Sequence, residues 1–194
     1  MMESKHIENR GFTLVEALIA ITILLLVIIG PMTAAQKGAQ NAYFASEQLT
    51  AVFLAQEAVE AVREIRDTKA LDVYDEVKNG RAGDTGNWAD TLVGSCSSVL
   101  GCEYNQSNGL FSQCSDESGC KLWFNNDTKT YTAYTSGSEI SPYSRKVRVE
   151  RPDPSVGAWK VTSDVSWNNE RVFGGTTQHA LLETWIYDQY QRYE

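Results

Sequence analysis

From Phe12 to Gly30 the chain runs 19 residues with a single charge, Glu16. As a helix that is about 28 Å, close to the thickness of a bilayer's hydrocarbon. It is enough for one membrane pass. Lys5, His6 and Arg10 precede the run, and positive charge flanking a span is kept on the cytoplasmic side. Glu16 is the anomaly. An acid at the centre of a membrane helix costs roughly 2.5–3.5 kcal/mol, but near one end the cost is smaller and an opposite charge offsets it. The expected partner is a cation brought there by assembly. A secretory signal would instead carry an Ala-x-Ala cleavage site after the apolar core, which Pro31-Met32-Thr33-Ala34-Ala35 supplies weakly.

The residues that open the run, Arg10-Gly11-Phe12-Thr13-Leu14-Val15-Glu16, resemble the class III signal of type IV prepilins. The resemblance implies that a prepilin peptidase cuts between Gly11 and Phe12 and methylates the new terminus, removing His6 with the leader. Glu16 is then the fifth residue of the mature chain (16 − 11 = 5), the position that pairs with the terminal amine of a neighbouring subunit. Opposite charges in an apolar bundle attract strongly because nothing else there solvates them. Implied partners are other pilin subunits, the peptidase and the inner-membrane assembly platform. The chain would be a single-pass inner-membrane precursor and then part of an extracellular fibre.

Gly30 and Pro31 follow the apolar run. Proline removes a backbone hydrogen bond and clashes with the preceding turn, so a kink or local unwinding is expected, unless the span simply ends there. Apolar residues then return at helical spacing, at Met32, Ala35, Ala39, Ala42, Tyr43, Leu49, Val52, Phe53, Val59, Val62 and Ile65. Glu47, Glu57, Glu60, Arg63 and Glu64 fill much of the remaining surface. The period predicts one amphipathic helix to about Leu71. From Phe12 that is on the order of 90 Å if unbroken. Leu54 to Asp67 resembles the second half of many minor-pilin helices.

Residues 72–128 change character: Gly, Ser, Asn and Asp dominate, and all four cysteines fall here. Cys96 to Cys102 and Cys114 to Cys120 both read Cys-Ser-x-x-x-Gly-Cys. An even count beside an export signal points to disulfides, for which three connectivities exist. Pairing 96 with 102 and 114 with 120 closes the shortest loops at the least entropic cost. A four-thiolate zinc site is the rival, but its ligands usually stand two to four residues apart. This stretch is expected to connect helix to sheet, with a short strand at 121–124, and to carry any contact to a surface ligand. Asn105-Gln106-Ser107 and Asn126-Asp127-Thr128 fit a common glycosylation pattern.

The last third reads as strands. Tyr131–Tyr134 and Arg145–Val149 are short alternating runs. In Trp159–Trp167 the residues Trp159, Val161, Val165 and Trp167 share one face, opposite Lys160, Thr162, Asp164 and Ser166, the mark of a half-buried antiparallel strand. Gly174-Gly175 marks the loop after it, and His179–Tyr187 closes the sheet. The apolar face of such a sheet needs a cover, and the second half of the long helix supplies it. The fold class is α+β, the pilin fold, divided as leader 1–11, helix 12–71 with 12–30 as span, connector 72–128 and sheet 129–194. Val147-x-Val149, Trp159-x-Val161, Trp167 and Leu182-x-Thr184-Trp185 also resemble the V-type minor pilins.

Little points to catalysis. After processing only His179 remains, and it reads as a surface residue; no phosphate loop is present. Asp116 and Glu117 are adjacent and lack the alternating ligands of a calcium loop. No metal or cofactor is expected. Trp159 and Trp167 read as packing, whereas Trp88, Tyr104, Tyr187, Tyr190 and Tyr193 have no clear assignment. The net charge of −8 argues against nucleic acid as the main partner. Arg145-Lys146-Val147-Arg148 is the one basic patch, expected on the wet face of a strand. The reading is a structural subunit, a minor pilin of a type IV pilus serving adhesion, twitching motility or DNA uptake. The alternatives are a type II secretion pseudopilin and a pilin-anchored adhesin that uses its cysteine loops.

Overall fold

The computed structural model describes residues 11–80, 87–106, 108–116, 120–133, 138–155, 157–168 and 175–187. Lys5, His6, Arg10, Glu117, Gly119, Tyr134, Gly174, Tyr190 and Tyr193 lie outside the described residues. The chain divides into two compact units, Met1–Ala45 and Ser46–Glu194, and helix α1 (Leu14–Lys78) belongs partly to each.

In the first unit α1 is the only described element. Among the described residues its apolar side chains from Leu14 to Tyr43 are exposed. It is long and apolar enough to cross a membrane. The break expected at Gly30 and Pro31 is not an interruption here, because the backbone stays helical through both. Pro31 nevertheless offers no N–H to the carbonyl of Val27. One turn later the Thr33 hydroxyl donates to the Gly30 carbonyl at 2.8 Å.

In the second unit α1 meets an antiparallel sheet of seven strands. These are β1 (Cys102–Asn105), β2 (Leu110–Gln113), β3 (Cys120–Asn125), β4 (Thr130–Thr132), β5 (Glu139–Glu150), β6 (Ala158–Asn168) and β7 (Thr177–Tyr187). β5 is the spine. It pairs with β6 along one side and with both β1 and β3 along the other, while β2 extends β1, β4 extends β3 and β7 extends β6. Register places Val149 opposite Val161, Val147 opposite Ser163 and Arg145 opposite Val165. These six side chains are buried.

The helix covers that face with small residues. Ala51, Leu54, Ala55, Ala58, Val59, Ala61 and Val62 are buried on α1, and Ala58, Val59 and Val62 pack in one cluster with Val147, Val149, Trp159, Val161 and Ile186. The alanines let the backbone approach the sheet closely. Of the apolar stripe expected from sequence, Val59 and Val62 are inside, but Leu49, Val52 and Phe53 stay exposed. The inward face is thus set by residue size as well as by hydrophobicity. The helix also runs past Leu71. It ends only where Asn79 donates back to the Asp75 carbonyl and Gly80 adopts φ 70°, the left-handed stop that glycine makes cheap.

The connector is more structured than its composition suggests. It holds the short helix α2 (Asp90–Cys96), β1, β2 and the whole of β3. Trp88 is buried there, edge-on to Trp159 at 5.9 Å between centroids. Disulfides join Cys96 to Cys102 and Cys114 to Cys120, with Cα–Cα distances of 4.7 and 5.0 Å. On the chain-entropy account each short loop contributes roughly 2 kcal/mol. Gly101 links the two loops, since its carbonyl accepts from the Cys114 N–H at 3.0 Å.

Gly101 has φ 71°, and a Cβ there would lie 2.9 Å from the Val147 carbonyl oxygen and 2.5 Å from Lys146 Cγ. Lys146 Cγ belongs to a flexible side chain, whereas the Val147 oxygen is backbone in the sheet's spine. Gly101→Ala is therefore expected to destabilise the head by about 2 kcal/mol or more. Thermal unfolding of the full chain in detergent measures it; an unchanged midpoint would mean that the turn relaxes freely.

Candidate functional site

Two sites emerge, one at the head of α1 and one where α1 meets the sheet. At the first, Gly11, Phe12 and Thr13 precede the helix, so the helix starts two residues later than Phe12. Thr13 caps it: its Oγ1 accepts from the Glu16 N–H at 3.3 Å and its carbonyl from the Ala17 N–H at 3.2 Å. Thr13-x-x-Glu16 has the spacing of a capping box, and an acid in the first turn faces the positive end of the helix dipole. Gly11 has nothing within 4 Å of where a Cβ would stand, and Phe12 is 79% exposed. The Gly11–Phe12 bond thus lies in non-helical backbone just before the helix cap.

The second site was hidden in the basic patch. Arg145 is not on a wet face; it is fully buried, because it shares the parity of Tyr143, Val147 and Val149, all inward on β5. Lys146 and Arg148 take the other face. From β5 the guanidinium reaches both β1 and α1. Its Nη1 donates to the Leu54 carbonyl and to Glu57 Oε2, each at 2.8 Å. Its Nη2 donates to Glu103 Oε1 at 2.7 Å and to the Tyr104 carbonyl at 3.3 Å, and Nε to Glu103 Oε2 at 3.4 Å. Nearby, the Tyr143 hydroxyl donates to the Glu47 carbonyl at 3.2 Å. Two side chains of one strand therefore hold α1 at points about two turns apart.

Burial raises the Glu103 carboxyl to about 7, a rise that the charge and hydrogen bonds of Arg145 only partly offset and that Glu57 reinforces. Burial alone would disfavour charge on Arg145, but Glu103 and Glu57 hold its pKa above its ordinary value. Charge counting reconciles the two directions. One guanidinium serves two carboxylates, and Glu103, unlike Glu57, has almost no water.

A cleft of about 550 Å³ opens in the second unit, lined among others by Glu64, Lys69, Asp72, Trp88, Asp90 and Tyr104. It is formed by α1 together with residues of the connector 72–128, the stretch expected from sequence to carry any contact to a surface ligand. Burial, then Glu64 and Glu57, raise the Tyr104 phenol. Among the described residues no cluster of His, Cys, Asp or Glu suited to a metal is formed. His179 is exposed, its Nδ1 3.0 Å from Asp164 Oδ1.

Removing one member of a buried ion cluster leaves the others uncompensated, so Arg145→Met is expected to cost about 3–5 kcal/mol. Adding Glu103→Leu to that variant should recover most of the loss. Unfolding midpoints of the single and double variants in detergent decide it: equal midpoints would mean that the arginine, not the stranded carboxylate, carries the energy.

The family described as the prokaryotic N-terminal methylation motif matches residues 8–30. Comparison with curated proteins and with solved structures returns no match. The match spans the non-helical Gly11–Phe12 segment, the capped turn bearing Glu16 and the exposed apolar helix to Gly30. Motif and helix fit a membrane-anchored precursor that is assembled into an extracellular pilus. The methylation motif, the long apolar helix and the antiparallel sheet together make the chain similar to type IV pilin-like proteins.

Proposed function

We propose that the chain is a minor pilin, cut between Gly11 and Phe12, methylated on the new amine and built into a type IV pilus through α1. The observation that carries this reading is the methylation motif over residues 8–30, with Glu16 five residues beyond Gly11. In the assembled fibre Glu16 pairs with the Phe12 amine of a neighbouring subunit. That amine meets no other anion in an apolar bundle, so the pair selects the register in which subunits join. Gly30 and Pro31 supply the place where α1 melts first under load, because Pro31 already lacks one helical hydrogen bond. The V-type spacings of β5 to β7 support the minor role. The head presents the surface that serves adhesion, motility or DNA uptake.

The test is the N-terminal sequence and intact mass of the protein from membranes and from sheared surface material. Methylated Phe12 as first residue, with four hydrogens missing for two disulfides, is the expected form in both. The same form confined to the membrane fraction would favour a secretion pseudopilin, and a chain still starting at Met1 would overturn the reading. Glu16→Ala should leave cleavage intact and lower recovery in the sheared fraction by at least about tenfold, since an unpaired charge in an apolar bundle costs several kcal/mol. Normal recovery would remove the pairing role.

A further inference from the structure

The cluster around Arg145 contains a conflict that its geometry alone exposes. Glu57 and Glu103 stand on different elements, α1 and β1, and both take hydrogen bonds from the same guanidinium on β5. Their access to water differs. The Glu57 side chain is 27% exposed, the Glu103 side chain 2% and Arg145 0%. With both acids ionised the group holds one negative charge in excess, and only Glu57 can relieve it by turning to solvent.

We propose that the tie between α1 and the sheet is set by a proton: with Glu103 protonated, Arg145 is committed to Glu57 and holds the helix, and once Glu103 ionises it takes the guanidinium and Glu57 is released. The bond from Nη1 to the Leu54 carbonyl involves no titrating group, so the exchange does not remove it. The exchange therefore loosens α1 against the sheet without detaching it.

Surrounding groups leave this exchange to the three residues. On α1 the facing titratable groups are Glu57 and, beside Tyr104, Glu64. On β1 they are Glu103 and Tyr104, and the β2 residue opposite Glu103 is Ser112, which does not titrate. On β5 Arg145 is the facing charge, with Lys146 and Arg148 on the opposite side of the strand.

The sign follows from Glu103 lying above its ordinary 4.5, at about 7. Its contribution to stability is fully present below pH 4.5 and is lost as pH rises through 7. Each pH unit in that window is worth up to tenfold in the folding equilibrium for the one extra proton held.

Hydrogen exchange of amides 51–62 in the full chain in detergent, corrected for intrinsic rates, tests the idea at pH 5.5 and 8. Protection is expected to fall about tenfold or more at pH 8 in the native chain. In Glu103→Gln, which keeps the acceptor oxygen and cannot ionise, it should stay level at the low-pH value. The same pH response in Glu103→Gln as in the native chain would overturn the proposal. Should that variant not fold, Glu57→Gln provides the measurement. It removes the competing carboxylate, so its response should shrink, and an undiminished response would equally refute the exchange.

Discussion

One guanidinium decides how the head is put together. Arg145 stands on the central strand, is closed to solvent, and spends its donors on a helix carbonyl, two carboxylates and a β1 carbonyl. A buried cation is tolerated only when its donors are used and its charge is met. This requirement fixes three elements at once. α1 must bring Leu54 and Glu57 to the sheet, β1 must bring Glu103, and β5 must face Arg145 inward. The alanines of α1 are part of the same constraint. With larger side chains at Ala51, Ala55 and Ala58, the Leu54 carbonyl would stand too far from the sheet for Arg145 to reach.

The first unit obeys the opposite rule. Between Leu14 and Met32 the apolar side chains of α1 are exposed, a surface suited to lipid or to other subunits. The local chemistry prepares the helix start for either. Thr13 satisfies one of the free N–H groups, that of Glu16, which lowers the cost of placing the helix end in an apolar medium. Glu16 sits where the dipole favours an anion even without a partner.

The extent to which sequence foretold this differs between the parts for physical reasons. Motif and span were legible because membrane thickness and the cost of a buried acid leave few alternatives. The disulfide pairing was legible because short loops close cheaply, and β6 because its alternation is nearly unbroken. Arg145 was misread although its parity with Val147 and Val149 was visible, since a charge in a strand is usually taken as the solvated phase. The face of α1 was misread because alanine carries little hydrophobic signal. Leu49 and Phe53 looked like core, yet the sheet needed close approach more than it needed area. β1 and β2, at four residues each, are too short for any period to show.

Those short strands explain why the cysteines lie where they do. β5, β6 and β7 pair over eight to eleven positions and are held by packing and register. β1 and β2 have neither length nor a broad apolar face, and β1 meets β5 at the one register pair Cys102 with Val147. Yet β1 has to present Glu103 to a buried arginine within hydrogen-bond distance. The Cys96–Cys102 bridge lies next to Glu103 and the Gly101 carbonyl ties in the second loop. Together they restrict the unfolded chain and hold that carboxylate beside Arg145. The covalent staples therefore stabilise the element that has least packing of its own and the most demanding electrostatic task.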